Sequence, residues 1–463
     1  MAQAILAQAA VRTSWHPTGG GGQIWHRAAV RLRCVVDRKQ ASVLTMHRTP
    51  AAAAAAAARP LLRLRPLPHG AGGPRLAAEP VVPGASLATA HRHGFAVHRL
   101  FSSASEYPAP RAGVEWRKLG FNLATRESQM VVATCSSGHM WGNCRVEPYG
   151  PLSLEPAATI LNYGQGIFEG IKAYRTTKGR IVLFRPQKNA QRFADGARRL
   201  LMPPVPTQLF LEACSTAVRE NADLVPPCGE GALYLRPLLF GSGADLGVKP
   251  SSQYTLIVFV SPVGKYFGPG VTGARMQLCR DHQRAAPEGV GHVKCVGNYA
   301  QCFAAQRDAK ADGFSDVVYL DVTGEYIDEA AASNFFCVTP DRVIHTPQLG
   351  TILPGVTRDS IVQLVRRLRD SDVQLQVGRV SAATALSASE AFLTGTGAGI
   401  TPIEHISSEE DAANFACPGP VTQMLSDMLA DIQFERSPDV HRWLHDPFNE
   451  PAFGRDSFVE PTF

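Results

Sequence analysis

The chain is predicted to fold as a mixed α/β protein, α/β or α+β, in two domains, and three observations carry that prediction. Helical segments alternate with short runs of leucine, valine and aromatic residues along the whole folded part, which argues against a helical bundle. The 463 residues exceed one ordinary core, so two domains of roughly 150 residues each are expected behind any leader. A glycine-rich break, GKYFGPGVTGA at 264–274, is the best interior candidate for a linker.

Residues 1–101 are set aside from fold reasoning. They are rich in arginine, alanine and proline, include the run Ala51 to Ala58, and hold only Asp37 and Glu79 against thirteen cations. That is the composition of an organellar transit peptide. Arg99-Leu100-Phe101-Ser102-Ser103 resembles the processing site of plant mitochondrial presequences, which favours the mitochondrion, with the chloroplast as the alternative. Met46 opens a second plausible leader, so the true start is either Met1 or Met46. The first 100 residues carry +11 against a total of +6, leaving −5 for the rest. The folded part is therefore mildly acidic and has no electrostatic footprint for nucleic acid. No apolar run is long enough to span a membrane. The ten cysteines form no C-x-x-C pair and no metal-ligand spacing with histidines, so reduced thiols and no metal are expected.

From Val114 the elements follow in order. Ala158 to Tyr174 starts in strand-like alternation and passes two glycines. IVLF at 181–184 is a strand, and a helix runs from about Asn189 to Leu201, stopped by Pro203 and Pro204. Gln208 to Ala222 has helical spacing, while Ala232 to Phe240 and Tyr254 to Val260 read as buried strands. Beyond the linker come a helix at Tyr299 to Ala311 capped by Gly313, strands at Ser315 to Leu320 and Asn334 to Val338, and a helix at Thr357 to Leu368 after LPG. A strand around Ala391 leads into LTGTGAGIT at 393–401. The last helix is Pro420 to Ile432, and the chain after Trp443, with three prolines, reads as disordered.

Chemistry concentrates in the second half. Lys294 lies in GVGHVKCVGNY at 289–299, among glycines and apolar residues, with no carboxylate nearer in sequence than Glu288. An ordinary loop lysine keeps its ammonium in water. A desolvated one loses its proton more readily and becomes a nucleophile able to form a Schiff base. Glu329 sits in the apolar DEAAASNFF, and LPGVT and LTGTG can present backbone N–H groups and hydroxyls. An aldehyde cofactor with a pyridine nitrogen and a phosphate would need all of these: an amine, a carboxylate for the ring nitrogen, and amide nests for the dianion.

Seven ordered segments then carry a family resemblance. NYGQGIFEGIKAYR (162–175), LFRPQKNAQR (183–192), LYLRPLLFGSG (233–243), VKCVGNY (293–299), YIDEAAASNFF (326–336), ILPGVTR (352–358) and LTGTGAGITPI (393–403) resemble the branched-chain amino acid aminotransferases. These are pyridoxal-phosphate enzymes of fold type IV, and the resemblance covers Val114 to Trp443. It implies a small α/β domain (114–263), a linker (264–275), a larger pseudo-barrel domain that binds pyridoxal 5′-phosphate (276–445) and a disordered tail (446–463). It gives Lys294 the role of Schiff-base lysine and proton carrier, Glu329 that of partner to the pyridine nitrogen, and Tyr299 a place beside the phenolic oxygen. Arg192, the backbone of Val356 and Thr357, and the Thr394 hydroxyl would hold the phosphate. Thr396 and Gly397 would receive the substrate α-carboxylate.

The resemblance also implies a pocket that accepts a branched aliphatic chain and, in turn, the γ-carboxylate of glutamate. Phe121, Tyr163, Phe168 and Tyr234 form its aromatic wall, and Arg236 or tyrosine hydroxyls meet the carboxylate. Part of the family's pocket comes from a partner subunit, so a homodimer is implied. The expected reaction is ping-pong transamination of leucine, isoleucine and valine with 2-oxoglutarate, in biosynthesis or degradation. Rival readings are a D-amino acid aminotransferase, an aminodeoxychorismate lyase or a non-catalytic homologue. Two departures concern the lysine loop, where Glu288 and His292 stand at positions that plant members fill with glycine. Ala398 and Thr401 replace the mammalian C-x-x-C pair, so no thiol switch is expected there.

Overall fold

The computed structural model describes residues 107–136, 140–264, 266, 272–368 and 372–449. The expected leader lies outside the described residues, as does the chain after 449. Among the described residues no helix is long and apolar enough to cross a membrane.

Two sheets organise the chain. The first has eight strands and is antiparallel throughout, with Ala232–Gly241 and Tyr254–Val263 paired over their full length at its centre. Ile171–Arg175 and Ile181–Phe184 extend one side, and Gln129–Cys135 with Arg145–Pro148 the other. Helices Pro186–Arg199 and Thr207–Arg219 cover one face. Phe193, Phe210, Leu211 and Val218 on those helices bury against Ile171, Leu233, Leu235 and Val258 of the strands.

The second sheet has ten strands and closes on itself. Following hydrogen-bonded neighbours from Asn334–Val338 through Glu390–Gly395, Gly399–Ser407, Ala274–Cys279, Asp316–Leu320 and Tyr326–Ala330 leads back to the start, because Glu329 pairs with Asn334. Side chains alternate across these strands, as a pleated backbone requires. Phe335, Cys337, Ala391 and Leu393 point into the barrel beside Met276, Val318 and Ile403. Phe336, Val338 and Phe392 point outward under helices Val356–Arg367 and Pro420–Gln433. The Phe336 and Phe392 rings stack with centroids 4.9 Å apart. Asn334–Val338 and nearly all of Glu390–Gly395 are buried on both faces, as strands covered on two sides are. The mixed α/β class with a barrel-like second sheet is the architecture the sequence predicts.

Three local expectations change. The segment from Ala158 opens as a helix, Thr159–Tyr163, not a strand; Gly164 ends it in left-handed backbone (φ 64), a conformation glycine adopts without a Cβ clash. The helix expected from Tyr299 is two pieces, Gly297–Ala300 and Phe303–Ala311. Side-chain amides tie this turn back to the chain before it: Asn298 donates to the Val290 and Val293 carbonyls of the lysine loop, and Gln301, after the first piece, to that of Arg284. The tail expected to be disordered from residue 446 is packed as far as Asn449. Leu444–His445 adds a strand beside Ile181–Phe184, and Asp446, buried, accepts from the Tyr107 hydroxyl at 2.6 Å.

Candidate active site

Lys294 stands where the two sheets' residues converge. Its loop is fastened to strand Gly166–Phe168, with Phe168 N–H donating to the Lys294 carbonyl (3.1 Å) and Val296 N–H to that of Gly166 (3.1 Å). Only one loop glycine is required by space: a Cβ on Gly291 would lie 2.5 Å from the Thr351 oxygen and 2.5 Å from Ala285. Gly297 has open room. The Nζ lies 2.9 Å from the Tyr299 hydroxyl and 4.5 Å from the centroid of Phe168. Burial first, and the nearby Arg192 cation second, bring its pKa down to about 8. A sizeable fraction of the amine is therefore neutral near physiological pH, as a nucleophile requires. Burial pushes Tyr299 above its ordinary value, so its hydroxyl stays protonated while it accepts from the Lys294 Nζ.

Glu329 faces the same cavity from the seam that closes the barrel. It is 2% exposed. Asn334 Nδ2 donates to it at 3.1 Å, Leu353 N–H at 3.3 Å, and the Arg284 guanidinium lies 3.6 Å away. Burial raises its pKa to about 7 against the opposing pull of Arg284. A carboxyl poised there can share a proton with a pyridine nitrogen.

An anion cradle completes this side. Helix Val356–Arg367 starts without a side-chain cap, so the N–H groups of Val356 and Thr357 have no intrahelical acceptor and carry the positive end of the helix dipole. The Thr394 hydroxyl is fully buried and makes no hydrogen bond among the described residues. Gly355 is held to glycine, since a Cβ would meet Asn334 Oδ1 at 2.0 Å. Orphaned donors of this kind fit a phosphate dianion. Val356 and Thr394 line the main cavity, whereas Thr357 lines a small adjoining one with Thr396.

Arg192 lines the cavity too, but its fork is not free for phosphate. Nε and Nη2 each bond the Glu169 carboxylate at 2.7 Å, and Nη1 donates to the Pro354 carbonyl at 2.9 Å. Of its five N–H groups two remain. Glu169, fully buried, also accepts from Asn189 and from the Gly170 N–H.

The cavity measures about 270 Å³ and is walled by Phe121, Phe168, Tyr234 and Tyr266, with Arg236, Thr396 and Gly397. Phe121 meets Tyr234 edge-on at 4.9 Å. The Arg236 guanidinium lies 4.7 Å from the Phe168 centroid and 5.3 Å from that of Tyr234, its buried Nε making no hydrogen bond among the described residues. A carboxylate entering there would find an unused donor. Behind the wall, Lys172 Nζ donates to the Gly397 carbonyl at 3.0 Å. Tyr163, expected in the aromatic wall, does not line this cavity within its own chain. The short helix ending at Gly164 turns it outward, 40% exposed, with its hydroxyl on the Leu246 carbonyl.

Sequence reasoning missed Glu169, Arg284, Asn334, Tyr266 and Lys172. Glu169 and Lys172 stand inside the quoted segment GIFEGIK and Asn334 inside SNFF, so the family resemblance marked the segments but not the partners. Arg284 had no local signal; only the fold lays it against Glu329.

The Amino-transferase class IV family model matches residues 166–406. The chain is 40% identical over 336 residues to branched-chain-amino-acid aminotransferase 5, chloroplastic, of Arabidopsis thaliana, covering 72% of this chain and 80% of that protein. It is 38% identical over 335 residues to branched-chain amino acid aminotransferase 1, mitochondrial, of Humulus lupulus, covering 72% and 84%. Among solved structures, the Escherichia coli branched-chain amino acid aminotransferase aligns with a TM-score of 0.57 at 27% identity, covering 68% of this chain and 98% of the other. The T.th. branched-chain amino acid aminotransferase complexed with N-(5′-phosphopyridoxyl)-L-glutamate aligns equally well, with TM-score 0.57, 27% identity and the same coverage.

Proposed function

The chain belongs to the class IV aminotransferases, and on that footing we propose that it transaminates L-leucine, L-isoleucine and L-valine with 2-oxoglutarate, giving branched-chain 2-oxo acids and L-glutamate. The observation that carries this reading is the cavity on which the desolvated Lys294 amine, the buried Glu329 carboxyl and the anion cradle converge. Bound pyridoxal 5′-phosphate supplies an aldehyde and an electron-withdrawing ring. Lys294 Nζ, steadied by the Tyr299 hydroxyl, is the base that takes and returns the substrate Cα proton. Glu329 holds a proton at the ring nitrogen, with Arg284 and Asn334 fixing the carboxyl in place. Val356, Thr357, Thr394 and the remaining Arg192 N–H groups grip the phosphate. The amide of Gly397 and the Thr396 hydroxyl orient the α-carboxylate. Phe121, Phe168 and Tyr234 exclude water around an aliphatic side chain, and Arg236 meets the γ-carboxylate when glutamate takes its place.

We infer a homodimer as well. Leu246 and Val248 are 87% and 88% exposed, and Tyr163 and Leu161 are also exposed. Surface apolar residues clustered around one contact, Tyr163 on Leu246, suit a partner. The leader composition and the arginine three residues before Ser102 support an organellar enzyme, with the mitochondrion as its compartment.

Lys294→Ala tests the assignment. Losing the base is expected to lower turnover by at least about 10²–10⁴-fold and to abolish the near-visible absorbance of the covalently held cofactor. A yellow, active variant would overturn it.

A further inference from the structure

Arg185 sits at the joint between the two halves of the cradle. It is the N-cap residue of helix Pro186–Arg199, with φ 52 and ψ 42, left-handed backbone that residues with a Cβ adopt only under constraint. Its nearly buried guanidinium reaches across to the other helix. Nη2 bonds Asp359 Oδ2 at 2.6 Å, and Nη1 bonds Ser360 Oγ at 2.7 Å and approaches the Val356 carbonyl at 3.5 Å. Its flat face lies 4.5 Å from the Trp443 ring centroid, and its own N–H donates to the Trp443 carbonyl at 2.7 Å. Two turns along the same helix, Arg192 Nη1 holds the Pro354 carbonyl. The helix bearing Arg192 is thus fastened to the helix bearing the Val356 and Thr357 amides at two points, one before those amides in the chain and one after.

We propose that Arg185, braced by Trp443, is the positioning residue that sets the spacing of the anion cradle, so that Arg192 and the amides of Val356 and Thr357 close on one phosphate group together. This rests on the reading that the cofactor's phosphate occupies the cradle. Donors on separate elements bind an anion jointly only if their separation is fixed beforehand. Asp359 offsets the Arg185 charge locally, so the contribution is geometric. Lysine, with the charge but without the planar two-pronged fork, does not replace it.

The test titrates the cofactor-free full chain with pyridoxal 5′-phosphate and, separately, with pyridoxal, which lacks the phosphate. Folding of every variant is checked by circular dichroism. Arg185→Met and Arg185→Lys are expected to weaken pyridoxal 5′-phosphate by about tenfold or more while changing pyridoxal by less than about twofold. Trp443→Phe, which keeps a ring under the guanidinium, is expected to retain most of the affinity. If Arg185→Met does not fold, Ser360→Ala removes one prong together with the Ser360 Oγ bond to the Val356 carbonyl and should weaken only the phosphate-bearing ligand, by about threefold. Equal loss for both ligands, an unchanged ratio, or full rescue by lysine overturns the inference. A wild-type chain with no preference for the phosphate-bearing ligand instead overturns the cradle reading on which it rests.

Discussion

Arg236 has to serve two substrates from one position. Sandwiched against Phe168 and Tyr234, it presents a flat, weakly hydrated cation that an aliphatic chain can pass, and its Nε makes no hydrogen bond among the described residues. Arg236→Met therefore separates the two half-reactions. The kcat/KM for glutamate and 2-oxoglutarate should fall about 10–100-fold, as for a lost charged hydrogen bond, while that for L-leucine changes less than about threefold. Equal losses in both half-reactions would show that Arg236 only shapes the wall. Lys294 and Glu329 stood out as residues because their chemistry is unusual for their local sequence, whereas Tyr299 was named only through the family resemblance. Their tuning was not legible. Glu329 depends on Arg284, 45 positions away in sequence, and the Arg192 fork is occupied by Glu169, in the link between two strands, which no periodicity reveals.

At the scale of elements, the lysine loop holds the sharpest departure. Glu288 has φ 61, a left-handed backbone in which a side chain costs about 1–2 kcal/mol. His292, the other departure marked by the family resemblance, is not among the described residues with positive φ. Glu288→Gly should raise stability by about 1 kcal/mol, less the entropy glycine adds to the unfolded chain, and leave turnover intact; a fall in melting temperature on calorimetry would contradict this. The five longest helices and six of the strands were readable to within a few residues, because apolar period and proline stops are local signals, whereas strands such as Gln129–Cys135, Ala274–Cys279 and Gly399–Ser407 were not named. The helix at Thr159 was not, since ILNY reads equally as a strand and Gly164 decides it by backbone conformation. The break after Ala300 was also hidden, because the Asn298 and Gln301 amides that tie this turn to the Val290, Val293 and Arg284 carbonyls leave no local pattern.

At the scale of the molecule, the barrel closes at the Glu329–Asn334 pair, so the seam of the fold and the floor of the site are the same residues. The outward-facing Tyr163, Leu246 and Val248 make assembly part of the account. Val248→Asp should convert a dimer to a monomer in sedimentation and reduce activity, while wild-type protein that is monomeric at assay concentrations would remove the partner from the pocket.

The central claim is tested most directly by a substrate panel on wild-type protein beginning at Ser102, with pyridoxal 5′-phosphate added. Glutamate formed from 2-oxoglutarate with L-leucine, L-isoleucine and L-valine, and none with D-alanine, is the result predicted here. Turnover of D-alanine, or pyruvate released from aminodeoxychorismate, without activity on the branched L-amino acids would contradict it.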